Sequence, residues 1–133
     1  MHELLEELRA GAEDVPVPLE VPEHDQIVVA QEEVLMPFPR EFIEFLLETG
    51  DIVFGSIEPV TVADPGSHTY LPEVTSIAWE QGMPREMVAI CESQGGFYCI
   101  AQDGEVKFWR DGDFDNETWE TIWYWVRDVW LAS

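Results

Sequence analysis

Between Met87 and Arg110 the chain reads MVAICESQGGFYCIAQDGEVKFWR, and its apolar and polar positions follow the pattern of three consecutive antiparallel strands. Residues 87–93 are apolar and partly β-branched; Gln94-Gly95-Gly96 turns the chain into 97–102, and Asp103-Gly104 turns it into 105–110. An Asp-Gly pair between alternating runs favours a type I′ hairpin, whose two central residues both need φ above zero. A two-residue loop there sets Gln102 opposite Glu105, Ala101 opposite Val106, Cys99 opposite Phe108 and Tyr98 opposite Trp109. Phe97, Cys99, Ala101, Val106 and Phe108 then make a dry face, and Tyr98, Ile100, Lys107 and Trp109 a half-polar one. A sheet with one dry face needs a layer of helices over it.

The flanking segments supply that layer. Residues 3–10 place Leu4, Leu5 and Leu8 on one side of a short helix that Gly11 ends. Alternate prolines in 15–22 remove donors and hold the chain as an extended, solvated strap. Ile27, Ala30 and Val34 form a helical stripe over 25–34, with Glu23 or Asp25 as its cap, although Ile27-Val28-Val29 also suits a strand. The 38–50 segment has Pro39 at the first helical position, a stripe of Phe42, Phe45, Leu46 and Thr49, and Gly50 just past the end. Residues 52–54 and 57–62 read as strands, 63–72 as a loop, and 73–81 as a helix with Val74, Ile77 and Ala78 inward. A loop over 111–116 leads into a helix over 118–130 with Trp119, Ile122, Trp123, Val126, Val129 and Trp130 on one stripe. Tyr124 points away from that stripe and Trp125 lies at its edge, so the core needs neither. The predicted class is α+β: an antiparallel sheet of about five or six strands with helices packed on one side.

Composition narrows what such a domain does. The 133 residues suit one domain, a helix and strap (1–24) preceding a core (25–133), and 46% hydrophobic content argues against disorder. No apolar run approaches the roughly 20 residues that cross a bilayer, and Met1-His2-Glu3 opens directly into an acidic amphipathic segment, so the expected location is the cytoplasm. In that compartment Cys91 and Cys99 are expected reduced and buried; they face each other only if the Gly95-Gly96 turn has an odd number of residues. The 28 acidic residues against 6 basic ones, a net charge of −22, exclude nucleic acid and anionic membrane as charge-driven partners. They permit a basic protein partner, though solubility alone also accounts for an acidic surface.

Little in the chain suggests catalysis. His2 and His24 lie in a terminus and a strap, which leaves His68, in Asp64-Pro65-Gly66-Ser67-His68-Thr69-Tyr70, as the remote candidate for an enzyme. Asp111-Gly112-Asp113-Phe114-Asp115 imitates the start of a calcium loop. Its sixth position is Asn116 instead of glycine and its twelfth is Ile122 instead of glutamate, so it reads as a solvated turn capping the next helix. Cys91 and Cys99 without a histidine pair make no zinc site. No cofactor is expected.

Phe38-Pro39-Arg40-Glu41-Phe42-Ile43-Glu44-Phe45-Leu46, closed by Gly50, resembles the signature helix of the SUKH superfamily. Gly95-Gly96 with Phe97-Tyr98-Cys99-Ile100, and Gly104 with Val106, Phe108 and Trp109, resemble its second signature; the tryptophan-rich terminal helix resembles its closing element. The likeness covers residues 25–131. That superfamily holds the Smi/Knr-type cell-wall regulators and many bacterial immunity proteins. The resemblance implies a structural role for Pro39, Phe42, Phe45, Leu46, Gly50, Gly95, Gly96, Gly104 and Trp109. It also implies a non-catalytic binding module, most concretely an immunity protein against a basic toxin domain, or else a regulatory or scaffolding module. Exposed carboxylates and surplus aromatics then nominate Trp79, Glu80, Asp103, Asp111, Asp113, Tyr124 and Trp125 as the partner surface.

Overall fold

A computed structural model describes residues 2–14 and 21–133. Four helices come first: α1 (His2–Gly11), α2 (His24–Val34), α3 (Arg40–Thr49) and α4 (Leu71–Glu80). Four strands follow: β1 (Val88–Ser93), β2 (Gly96–Ile100), β3 (Val106–Arg110) and β4 (Asp113–Trp119). The chain closes with α5 (Ile122–Trp125), which runs on as a π-helical turn over Val126–Trp130. The strands form one antiparallel sheet in the order β1-β2-β3-β4, so among the described residues the architecture is α+β with five helices and one four-stranded meander. Most of the expected 15–22 strap lies outside the described residues.

The first three helices follow their apolar stripes. In α2, Ile27, Ala30 and Val34 are buried, and the Gln26 side chain accepts from the Glu23 N–H at 2.8 Å to satisfy one of the free N-terminal donors. In α3, Phe42, Phe45, Leu46 and Thr49 are buried as the spacing requires. Pro39 is the residue before the helix, with ψ 147°, so it is not at the first helical position. Gly50 departs from its expected role as well. Its φ of −62° is right-handed, and the glycine is needed for room, since a Cβ there would meet Pro22 Cδ. In α4 the buried stripe is Leu71, Val74, Thr75 and Ala78, not Val74, Ile77 and Ala78; Ile77 is 43% exposed. Thr75 takes the inward place because its Oγ1 accepts the Ala89 N–H, 3.1 Å away, at the edge of the sheet.

Residues 52–54 and 57–62 are not strands, and the sheet has four strands where five or six were expected. Only isolated bridges remain there, Pro59 to Cys91 and Thr61 to Tyr70. Pro59 has no N–H to extend a ladder, so one bond from Val60 N–H to the Ile90 carbonyl, 2.9 Å, is what covers the outer edge of β1 there. That coverage and Thr75 blunt an edge otherwise open to pairing.

The meander corrects the expected register. Phe97 pairs with Trp109, Tyr98 with Phe108, Cys99 with Lys107 and Ile100 with Val106. This is one residue from the predicted pairing, and a one-residue slip turns a strand's side chains to the opposite face. The type I′ turns are elsewhere: Gln94-Gly95 (φ 51° and 78°) joins β1 to β2, and Asp111-Gly112 (φ 52° and 90°) joins β3 to β4. At Asp103-Gly104 only Gly104 has positive φ, inside a wider loop closed by Ala101 N–H on the Glu105 carbonyl, 2.9 Å. The two-residue Gln94-Gly95 turn also leaves Cys91 beside Tyr98 and Cys99 beside Ala89, both thiols free and buried.

Both faces of β1–β3 are dry. Tyr98 meets Trp119 and Trp125 at centroid distances of 5.9 and 5.5 Å, under the C-terminal helix, while Trp109 on the other face lies against Gly82, just past α4. A single helical layer over one half-polar sheet is therefore not the arrangement. Near-continuous apolar runs such as Val88-Ala89-Ile90-Cys91 are what burial on both faces demands. The terminal segment differs too. Trp119 ends β4, Thr121 caps α5 by accepting from the Tyr124 N–H at 3.4 Å, and the last turn is π-helical. Trp119, Trp123, Trp125 and Trp130 are all buried, so Trp125 belongs to the core and not to its edge; Tyr124 is 43% exposed. The Phe45 ring is the hub, with Trp123, Trp125 and Trp130 edge-on to it at 6.0, 6.2 and 5.8 Å.

Candidate protein-binding surface

The acidic surface is almost bare of free cations. Arg9 pairs with Asp51, Arg40 with Glu44, Lys107 with Glu105 and Arg127 with Asp128, at 3.3, 3.6, 3.4 and 2.7 Å. Arg85 lies over the Trp79 ring at 4.9 Å, and Arg110 over Phe108 at 5.8 Å with one guanidinium nitrogen on the Gln94 carbonyl. These are all six lysines and arginines of the chain. Exposed pairs of this kind add little stability, but they leave the remaining carboxylates uncompensated.

The nominated residues do not form one patch. Asp111 and Asp113 are exposed together at the β3–β4 turn. Asp103 stands at the other end of β3, roughly 15–20 Å away at about 3.4 Å per residue, its Oδ1 accepting from the Glu105 N–H at 3.0 Å. Trp79 is half-buried, its indole N–H donating to the Met87 carbonyl at 2.9 Å beside exposed Glu80. Tyr124 is open on one side and stacked by Arg127 at 4.8 Å on the other. Trp125 is 0% exposed and leaves the surface set altogether. The 111–116 loop is instead a turn and the start of β4, whose residues 113–118 are all exposed. Opposite Phe108 the strand bulges, which twists this acidic edge away from regular pairing. No group of three or more His, Cys, Asp or Glu among the described residues is placed to hold a metal ion.

At the far edge of the sheet lies a cleft of about 320 Å³ that the sequence does not signal, apart from His68. Residues 57–60, pinned to β1, present Glu58; the end of β1 presents Glu92 and Ser93; Ile57, Val60 and Val74 supply apolar lining. His68 Nε2 sits 2.6 Å from Glu58 Oε2, both side chains exposed. The His68 turn is fixed by Gly66 N–H on Asp64 Oδ1 at 2.9 Å and by a 2.8 Å bond between the Ser67 and Thr69 hydroxyls. Behind it the Cys91 thiol donates to the Glu58 carbonyl at 3.6 Å, and burial pushes that thiol up to about 12, so it is protonated and a poor nucleophile at neutral pH. Glu58 and Glu92 are far apart in the chain, and the contacts of residues 58–60 with β1, the bridge of Pro59 to Cys91 among them, bring the two segments together.

A four-stranded antiparallel meander whose first three strands are covered on both faces, flanked by five helices and closed by a buried tryptophan cluster, defines an α+β domain built around one aromatic hub. The chain belongs to the SUKH_5 family, described as SMI1-KNR4 cell-wall, which it matches over residues 1–131. It is similar over its whole length to the crystal structure of a protein from Pseudomonas syringae pv. tomato, with 50% identity, 100% of each chain covered and a TM-score of 0.96. No curated protein matches it. No helix among the described residues is long and apolar enough to cross a membrane.

Proposed function

We propose that this chain is a non-catalytic binding module of the immunity type, whose acidic surface captures a basic protein, most concretely a toxin domain. SUKH family members are typically immunity-type proteins. The observation that carries the step to this chain is the commitment of every lysine and arginine to its own carboxylates and rings, leaving a net charge of −22 with no cationic patch. Such a field accelerates encounter with a basic partner and repels nucleic acid.

The test is capture from the host with the intact protein as bait, followed by association kinetics on the captured partner. The on-rate is expected to fall steeply between low and physiological salt, because screening shortens the Debye length to about 8 Å, while dissociation changes less. Replacing Asp111 and Asp113 by Lys slows association further if the β3–β4 turn is in the footprint. Partners that are all neutral or acidic, bound with salt-independent kinetics, would overturn the reading.

A further inference from the structure

We propose that the cleft between residues 57–60, the His68 turn and the end of β1 is a socket for an arginine side chain of the protein partner, an inference that rests on the binding-module reading. Its chemistry is two-part. Ile57, Val60 and Val74 offer an apolar wall along which a three-carbon stem lies, and Glu58 and Glu92 offer carboxylates beyond it. Among the described residues, Glu58 Oε1 and both oxygens of Glu92 receive no hydrogen bond from the chain. The protein provides no guanidinium of its own to answer them. Arg110, the cation held at the Gln94 turn, is engaged by the Gln94 carbonyl and the Phe108 ring.

Glu58 already holds a planar nitrogen donor, since His68 Nε2 approaches one of its oxygens at 2.6 Å. The second oxygen keeps its acceptor capacity for another donor. A guanidinium has five N–H groups in a rigid fork and bridges two acceptors in one plane, whereas a lysine ammonium is a strongly hydrated point charge. The cleft therefore selects arginine over lysine. It is also set in place before any partner arrives, because Val60 N–H on Ile90 and the Cys91 thiol on Glu58 fix the backbone behind the carboxylate. A preformed site loses less freedom on binding.

Titration of the ¹⁵N-labelled full chain with an acetyl-Gly-Arg-Gly-amide peptide, and separately with its lysine counterpart, tests this. Saturable shifts are expected at the amides of Ile57, Glu58, His68, Thr69 and Glu92, with arginine the tighter peptide. The Glu58→Gln/Glu92→Gln variant should weaken arginine binding by about tenfold, since charge-assisted bonds to two carboxylates are lost. Asp111→Asn/Asp113→Asn should leave it unchanged. The exposed Glu58 and Glu92 side chains leave the fold intact, which the rest of each spectrum verifies, and Glu92→Ala alone serves if the double variant does not fold. Shifts scattered over the acidic surface alike for both peptides, or cleft shifts that survive the substitutions, would sink the proposal. A basic partner with salt-dependent kinetics but no arginine localisation removes the socket and keeps the module; localisation without such a partner does the reverse.

Discussion

Single residues here are governed by backbone geometry as often as by hydrophobicity. Leu35 closes α2 in the left-handed region, φ 59° and ψ 36°, its N–H reaching the Gln31 and Glu32 carbonyls, while its side chain is 87% exposed. A β-carbon in that region crowds the backbone, and glycine or asparagine usually fills it. Leu35→Gly is expected to stabilise the fold by about 1 kcal/mol, the strain it removes outweighing the extra freedom of the unfolded chain. Guanidinium denaturation of both proteins measures this, and a loss of stability would mean that Leu35 makes a contact beyond the cap. Gly50 teaches the converse: the sequence marks the glycine but not its reason, which is the nearness of Pro22, 28 positions earlier in the chain.

At the level of elements, the sequence pattern locates the helices α2 and α3 and the strands β1–β3, but not the register between strands, the inward face of α4 or the π-helical end. The stripes of α2 and α3 emerged intact because each is a regular amphipathic helix. The C-terminal segment misleads because its last turn is π-helical, with Leu131 N–H reaching the Val126 carbonyl five residues back at 2.8 Å. A wider turn brings residues five apart onto one side, and Trp125 and Trp130 are buried together with ring centroids 6.4 Å apart. Trp125→Ala should therefore cost about 3–5 kcal/mol, against less than about 1 kcal/mol for Tyr124→Ala. Equal losses in paired denaturation curves would contradict the π-helical register. The hairpins show the same limit: both Asp-Gly pairs were visible, but only Asp111-Gly112 has strands that meet immediately on either side, and its strand β4 is too rich in Asp, Asn and Glu to signal itself. Of the candidate surface, Asp111, Asp113, Glu80 and Tyr124 were legible as exposed positions. Glu58 and Glu92 were not, because tertiary pairing alone makes them neighbours.

The whole molecule should respond to pH asymmetrically. Burial raises Cys91 and Cys99 from an ordinary thiol value near 9.0 to about 12. Tyr70 is also raised, by burial and then by its hydrogen bond to Glu33, and Tyr98 by burial. Each group is protonated and neutral in the fold, so its contribution is complete below the unfolded-state pKa and disappears as pH climbs towards the folded one. Stability should hold up to about pH 8–9, then fall by about 1.4 kcal/mol per pH unit for each thiol that ionises on unfolding. Denaturation midpoints across that range check the slope, and Cys91→Ala/Cys99→Ala should flatten it. A midpoint that does not move up to about pH 11 would place the thiols in contact with water.

The aromatic hub also sets a timetable for biosynthesis. Phe45 and Phe54 lie in the first half of the chain, yet the ring that packs on Phe45 and donates to the Phe54 carbonyl belongs to Trp130, 76 residues beyond Phe54. At ribosomal rates of about 5–20 residues per second, roughly 4–15 s pass between synthesis of the two ends of that bond. Until then the Phe45 ring lacks the three tryptophans that cover it in the fold. The sheet meanwhile assembles from consecutive hairpins as each one emerges. Closure of the hub therefore waits on synthesis of the segment that carries Trp130.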